Sequence, residues 1–261
     1  MTYLQSGGGN VSADHYTGSG TINPGTNTEI PSGSPGSSYT ATSLFLLKPG
    51  AETQYVTYGG YVRNNLSFAE TTIGGNLVET IDQHFERGAF AFGELSPTDS
   101  VPKIGSGNFN GSMLATMIFN PTIDGQVGGG ALPSYFQWIH GTANIAVDFA
   151  ASAFNLTLAG TVTAPQIDYF TSPTESILMA GATFNAAGKG TINLKNFGGF
   201  KGEFQSARFQ NPNGGSSHTV NVAGSSIDGA FYGPVGQEVG GGFRIVGGNP
   251  DERVDIIGAF T

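Results

Sequence analysis

The sequence predicts an all-β protein that closes, over its C-terminal part, into a small soluble antiparallel barrel. Three observations point there. Glycine is abundant, at 42 of 261 residues where about 7% is usual, and many glycines lie beside aromatic or β-branched residues, as in tight-turned sheets. From residue 105 onward, apolar and polar residues alternate with a period of two. Clusters of small and polar residues separate the alternating runs at hairpin spacing.

Three regions follow in order along the chain. Residues 1–38 are rich in Gly, Ser, Thr, Asn and Pro, and Gly7-Gly8-Gly9 and Ser32 to Ser38 read as a flexible tether or as long surface loops. Residues 39–104 carry short strand-like runs at Leu44 to Leu47, Tyr55 to Tyr58, Gly60 to Val62 and Ala89 to Phe92, which predict a smaller sheet. Between them, Asn76 to Arg87 is expected as a helical turn or a loop.

Residues 105–261 hold the clearest pattern. Ile145, Val147 and Phe149 share one phase, against Asn144, Ala146 and Asp148. Phe154, Leu156, Leu158 and Val162 oppose Asn155, Thr157, Thr161 and Thr163. Ile192 and Leu194, Phe243 and Ile245, and Val254, Ile256 and Phe260 continue the apolar phase. Turns are expected at Ala150 to Ala153, Ala186 to Gly188, Asn196 to Gly199, Asn211 to Ser217 and Gly247 to Glu252. Two glycine-led stretches, Gly141 to Ile145 and Gly188 to Ile192, read as hairpin openings. A meander of this kind removes its exposed edges by closing. Polar residues such as Asp148, Lys195, Lys201 and Glu203 oppose the apolar phase. A narrow barrel fills its interior with apolar side chains, so the polar phase faces water and not lipid.

Composition narrows the function. Charged residues are 11% of the chain and the net charge is −9, which leaves no basic surface of the kind phosphate binding needs. There is no cysteine, so disulfides, thiolate nucleophiles and zinc–cysteine sites are excluded together. No apolar run approaches the roughly 18 residues of a membrane helix. The expected location is extracellular or cell-surface, with the export signal outside this sequence.

The closing strands carry a resemblance. Ile227-Asp228-Gly229-Ala230-Phe231-Tyr232-Gly233-Pro234, then Gln237-Glu238-Val239-Gly240-Gly241-Gly242-Phe243, then Ile257-Gly258-Ala259-Phe260 resemble the end of the transferrin-binding-protein-B-like barrel. Val101 to Gly111 is similar to that family's first barrel strand, and Gly141 to Phe149 to the next hairpin. The resemblance implies an eight-stranded barrel beside a smaller "handle" sheet, in a lipid-anchored or secreted protein of Gram-negative bacteria. It implies capture of an iron carrier, haem or a host protein, and delivery to an outer-membrane receptor. In these motifs Phe231, Tyr232 and Phe243 read as core or corner aromatics, Gly229 to Pro234 as a strand ending in a tight turn, and Gly240 to Gly242 as a bend or bulge with close backbone approach.

No catalytic constellation emerges. His15, His84, His140 and His218 are widely spaced, with no H-x-x-x-H or H-E-x-x-H pattern, and no serine sits in a G-x-S-x-G elbow. Gly125 to Gly130 lacks the Lys-Ser/Thr ending of a phosphate loop. Asp124, Asp168, Glu175 and the Asp251-Glu252-Arg253 run read as solvated loop residues. The expected class is therefore a binding protein and not an enzyme. Haem is the sharpest small-ligand expectation. Its iron takes a histidine or tyrosine inside an apolar pocket, and His140, beside Tyr135, Phe136 and Trp138, and His84 are the candidates. The same aromatics, on the expected 120–140 connection, equally suit a protein anchor or packing against the smaller sheet. The alternative function is an adhesin-like or host-factor-binding module with no small-molecule ligand.

Overall fold

The computed structural model describes residues 2–5, 18–21, 36, 38–47, 50, 52–120, 135–164, 178–247 and 253–261. A short hairpin of β1 (Thr2–Gln5) and β2 (Gly18–Thr21) comes first. The predicted tether otherwise lies almost wholly outside the described residues, as do His15, Asp124, the Gly125 to Gly130 run, Asp168, Glu175, Asp251 and Glu252.

The handle is a three-stranded antiparallel sheet of β3 (Ser38–Leu46), β4 (Val56–Ile73) and β5 (Asn76–Gly93). Tyr55 to Tyr58 and Gly60 to Val62 belong to the entry into and the course of one long strand. Asn76 to Arg87 is neither helical turn nor loop; it is the first two thirds of β5. The cause is the turn. Gly74 and Gly75 have φ of 60° and 85°, the conformation a two-residue hairpin loop requires and glycine supplies without a steric cost. Register then runs unbroken from Ile73↔Asn76 to Val56↔Gly93.

The second sheet closes on itself. Its strands are β6 (Ser106–Asn120), β7 (Tyr135–Asp148), β8 (Ala153–Val162), β9 (Thr183–Asn193), β10 (Gly199–Gln210), β11 (Ser217–Val220), β12 (Ser226–Tyr232), β13 (Glu238–Val246) and β14 (Arg253–Phe260). Pairing runs β10-β12-β13-β14-β6-β7-β8-β9 and returns to β10, giving eight strands in a ring, with β11 attached outside it to the end of β10.

Aromatic rings fill the ring of strands. Phe154, Phe200, Phe231 and Phe260 are each 1% exposed or less, and Phe243 4%. Their centroids link up through Phe154–Phe200 at 4.8 Å, Phe200–Phe231 at 5.8 Å and Phe243–Phe260 at 6.4 Å. Glycines make the room. A Cβ on Gly229 would lie 2.2 Å from the Phe200 ring, and one on Gly258 2.2 Å from the Phe243 ring, well inside van der Waals contact. The predicted core phase is buried from Ile145 to Phe260 except at Leu194, which is half-buried and starts a short helical turn, and Lys201, Glu203 and Asp148 face water.

Local expectations are overturned in three places and sharpened in a fourth. Ala186 to Gly188 is not a turn but the middle of β9, kept small because a Cβ on Gly188 would meet Ile227 at 2.4 Å. Gly141 to Ile145 and Gly188 to Ile192 lie inside strands and open no hairpin. Asn196 to Gly199 sits at a short helical turn, α1 (Leu194–Phe197), closed by Gly198 in the left-handed region. Gly240 to Gly242 allows close approach but no bulge; the barrel's irregularity is in β10, between Phe204 and Ser206.

Candidate functional site

Two places could carry recognition: the junction where handle meets barrel, and the part of the β4–β5 hairpin that runs past it. The junction is built on an apolar cluster. Leu47, Tyr58 and Val62 of the handle pack with Leu114, Trp138 and Ala259 of the barrel. Trp138 faces outward from β7, straight onto β4. A Cβ on Gly60 would lie 2.8 Å from Trp138 Cζ3 and 3.0 Å from Leu114 Cδ2, so glycine lets the indole lie against the strand. At 1% exposure, Trp138 has no free face for a ligand in this arrangement.

Polar groups frame the cluster. Glu238 of β13 accepts three consecutive backbone N–H groups of the handle: Gln54 N to Oε1 at 2.7 Å, Tyr55 N to Oε2 at 2.7 Å and Val56 N to Oε2 at 3.0 Å. Arg87 of β5 donates to Thr116 O at 3.0 Å, Thr116 Oγ1 at 2.9 Å and Asp255 O at 2.9 Å, and its Nη2 stands 3.2 Å from the Asp255 carboxylate. Burial lowers the Arg87 pKa, which Asp255 opposes. Tyr58 bonds to Ser112, whose hydroxyl donates to Glu52, and burial first, with Glu52 adding to it, raises the Tyr58 pKa.

His140 is exposed on β7, two residues beyond Trp138, with Leu114 and Thr161 as its register partners. Partial burial lowers its pKa, favouring the neutral imidazole that can ligate iron. Tyr135 and Phe136 begin β7 instead of lying on a connection, paired with Phe119 and Ile118; their side chains lie outside the described residues. His84 sits in β5 opposite Asn65, in the other sheet, and its side chain is likewise undescribed. His218 is on β11, within 3.1 Å of Ser216. A depression on the barrel wall between Ser106, Asn108, Asp148 and Asn155 holds about 150 Å³, against roughly 300–1,000 Å³ for a small-molecule site. Among the described residues, no cluster of His, Cys, Asp or Glu could hold a metal.

The hairpin was missed by sequence reasoning. β3 pairs with β4 only as far as Ser38↔Ser67, so β4 and β5 run on from there as a two-stranded arm. Ile73, Leu77 and Val78 are exposed at its tip, at 60, 73 and 36%. From residue 64 to 86 there is no Lys or Arg, while Glu70, Glu79, Asp82 and Glu86 are present, and Glu70 lies directly opposite Glu79. Glu86 is paired with Arg63 at 3.3 Å. The signal was available in Gly74-Gly75, a two-residue pair of the kind that closes a tight hairpin.

The barrel strands identify the chain. Residues 101–261 match the family described as "C-lobe and N-lobe beta barrels of Tf-binding protein B". This chain belongs to that family. Among solved structures it is similar to a tryptophan-to-alanine mutant of the vaccine antigen transferrin-binding protein B from Haemophilus parasuis Hp5, at 16% identity and a TM-score of 0.39, covering 88% of this chain and 38% of that one. It is also similar to intact Ap-TbpB with its N and C lobes, at 15% identity and a TM-score of 0.40, covering 88% and 39%. The chain thus spans less than half the length of these proteins. No curated protein matches it. The chain carries an eight-stranded barrel; of the quoted motif residues, Phe231 and Phe243 are buried in its core, while Tyr232 is buried on the opposite face, next to Val56 of the handle.

Proposed function

We propose that this chain is a non-enzymatic, surface-displayed or secreted binding module that captures an iron-carrier protein of the transferrin type and passes it, or its iron, to an outer-membrane receptor. The observation that carries the reading is the filled barrel. Phe rings occupy its interior, so recognition falls to outer surfaces, and those suit a macromolecule better than a buried small solute. The acidic arm with its exposed Ile73, Leu77 and Val78 fits a partner that presents basic side chains around an apolar notch. Haem keeps one supporting observation, the exposed and partly desolvated His140.

Surface plasmon resonance against apo and iron-loaded transferrins, beside a hemin titration followed by absorption, tests both. The expected result is saturable transferrin binding, weakened at least about tenfold, or about 1.4 kcal/mol, by Ile73→Asp with Leu77→Asp. A one-to-one Soret shift lost in His140→Ala or His84→Ala, without transferrin binding, would move the function to haem capture. Binding of neither leaves the adhesin-like module as the reading.

A further inference from the structure

We propose that the handle is latched to the barrel in one fixed pose by ties at both ends of their contact, so that the chain presents handle and barrel surfaces pre-formed and closes on nothing when it binds. The near end lies where β4 begins and β5 ends. There the Glu238 carboxylate holds the amides of residues 54–56. The backbone ties the same end: Ser96 N donates to Phe231 O and Gly233 N to Glu94 O, both at 2.9 Å, with a bridge at Leu95↔Tyr232. The far end is Arg87, opposite Val62. Val56 and Val62 are six positions apart on one strand, or roughly 20 Å.

Between the two ends, the side chains of Tyr58, Val62, Leu114 and Trp138 meet through apolar contact, which is non-directional. The polar ties of this stretch, from Tyr58 and Glu52 to Ser112, lie toward the near end and leave the far end free to swing. Arg87 removes that freedom. Its planar guanidinium meets two carbonyls, a hydroxyl and a carboxylate on two adjacent barrel strands, β6 and β14, and such a fork has one satisfied geometry. Its side chain is 6% exposed, so while docked its donors are satisfied by Thr116 and Asp255 and not by water. Asp255 is itself braced by Arg244 at 3.3 Å. At the near end, three successive amides converge on one carboxylate, and an isosteric amide side chain would turn an NH₂ toward N–H donors. The near end also keeps its backbone bonds when Glu238 is lost. Arg87 is therefore the tie whose loss frees the handle to pivot.

The absence of cysteine makes spin labelling direct. Ser67→Cys on the handle and Thr157→Cys on the barrel wall are both exposed positions, and pulsed dipolar spectroscopy reads the distance between their labels. The wild-type background should give one narrow distribution. Arg87→Met should broaden it clearly, Glu238→Gln should broaden it less, and Arg87→Lys, which keeps the charge but not the fork, should fall between wild type and Arg87→Met. A broad or two-peaked distribution in the wild-type background, or a narrow one in a folded Arg87→Met chain, overturns the latch. Should Arg87→Met fail to fold, the wild-type distribution and Arg87→Lys still decide. The consequence for capture rests on the binding role proposed above, and the label distances do not. A latch without transferrin binding sinks that role alone, whereas bound ligand that shifts the wild-type distance sinks the pre-formed surface alone.

Discussion

The contact between Trp138 and Gly60 can be tested by a double-mutant cycle. Adding a methyl group at Gly60 places a carbon 2.8 Å from Trp138 Cζ3 and 3.0 Å from Leu114 Cδ2. Overpacking of this kind costs about 1–3 kcal/mol, against which Gly→Ala regains about 0.4–1 kcal/mol from the unfolded chain. Gly60→Ala should therefore destabilise by about 0.5–2 kcal/mol. Trp138→Phe deletes the outer edge of the indole, which includes the atoms nearest Gly60. It should cost about 2–3 kcal/mol in lost burial and residual cavity. Together the two changes should cost less than their sum, because the added methyl fills space that the smaller ring vacates. A shortfall of at least about 1 kcal/mol is expected, within the range found for residues in contact. Urea unfolding of all four proteins, followed by far-ultraviolet circular dichroism, gives the numbers without relying on the one tryptophan. Additivity within about 0.5 kcal/mol would show that the indole does not lie against β4 and would refute this account of the junction.

Three further outcomes follow from the same geometry. Gly258→Val should prevent folding or cost more than about 3 kcal/mol, since even a Cβ would lie 2.2 Å from the Phe243 ring and 2.9 Å from Ala115 Cβ; soluble yield and thermal midpoint read this out. Burial raises the Tyr58 pKa above that of an unfolded tyrosine, about 10, so the unfolded chain loses its proton first and stability falls as pH rises through about 10. Tyr58→Phe should flatten that alkaline decline in a urea series, at the cost of the Ser112 bond near neutrality. For His140 the sign is reversed: its folded pKa is depressed, so stability should fall modestly as pH drops below about 6.5, and His140→Gln should remove that part of the acid dependence.

Fold and site were legible to different depths. Strict alternation in Ile145 to Phe149 and Phe154 to Val162 revealed both the strands and their buried faces, because a half-wet sheet leaves that mark. The handle hairpin was harder. Along β5 the apolar positions Leu77, Ile81 and Phe85 are interrupted by Glu79 and Gln83; Glu79 falls in the arm beyond the third strand, while Gln83 stands opposite Leu66 where that strand still pairs. Ala186 to Gly188 reads as a turn by composition, yet its glycine answers the approach of Ile227 from another strand, a non-local constraint. Trp138 shows the same limit from the other side. Sequence reading put it on a connection, whereas it lies on the outer face of β7, and what covers that face is β4, some eighty residues earlier in the chain.

The residues that identify the family are the ones least able to report its ligand. Phe231 and Phe243 are 1% and 4% exposed, and Gly229, Gly241 and Gly258 are each held within 3 Å of a ring or carbonyl by the position a Cβ would take. Such positions answer to one another: a ring can enter the narrow interior only where the facing strand has no side chain, and that strand tolerates glycine because the ring covers its backbone. The motif is thus a packing solution shared by any chain that closes this barrel, whatever it binds. Variation without loss of the barrel is available only outside it, on the acidic arm, on the wall around His140 and on the loops between strands. A functional claim for this chain therefore stands or falls on substitutions at Ile73, Leu77 and His140. A loss of binding after changing Phe231 or Phe243 would report only that the barrel had come apart.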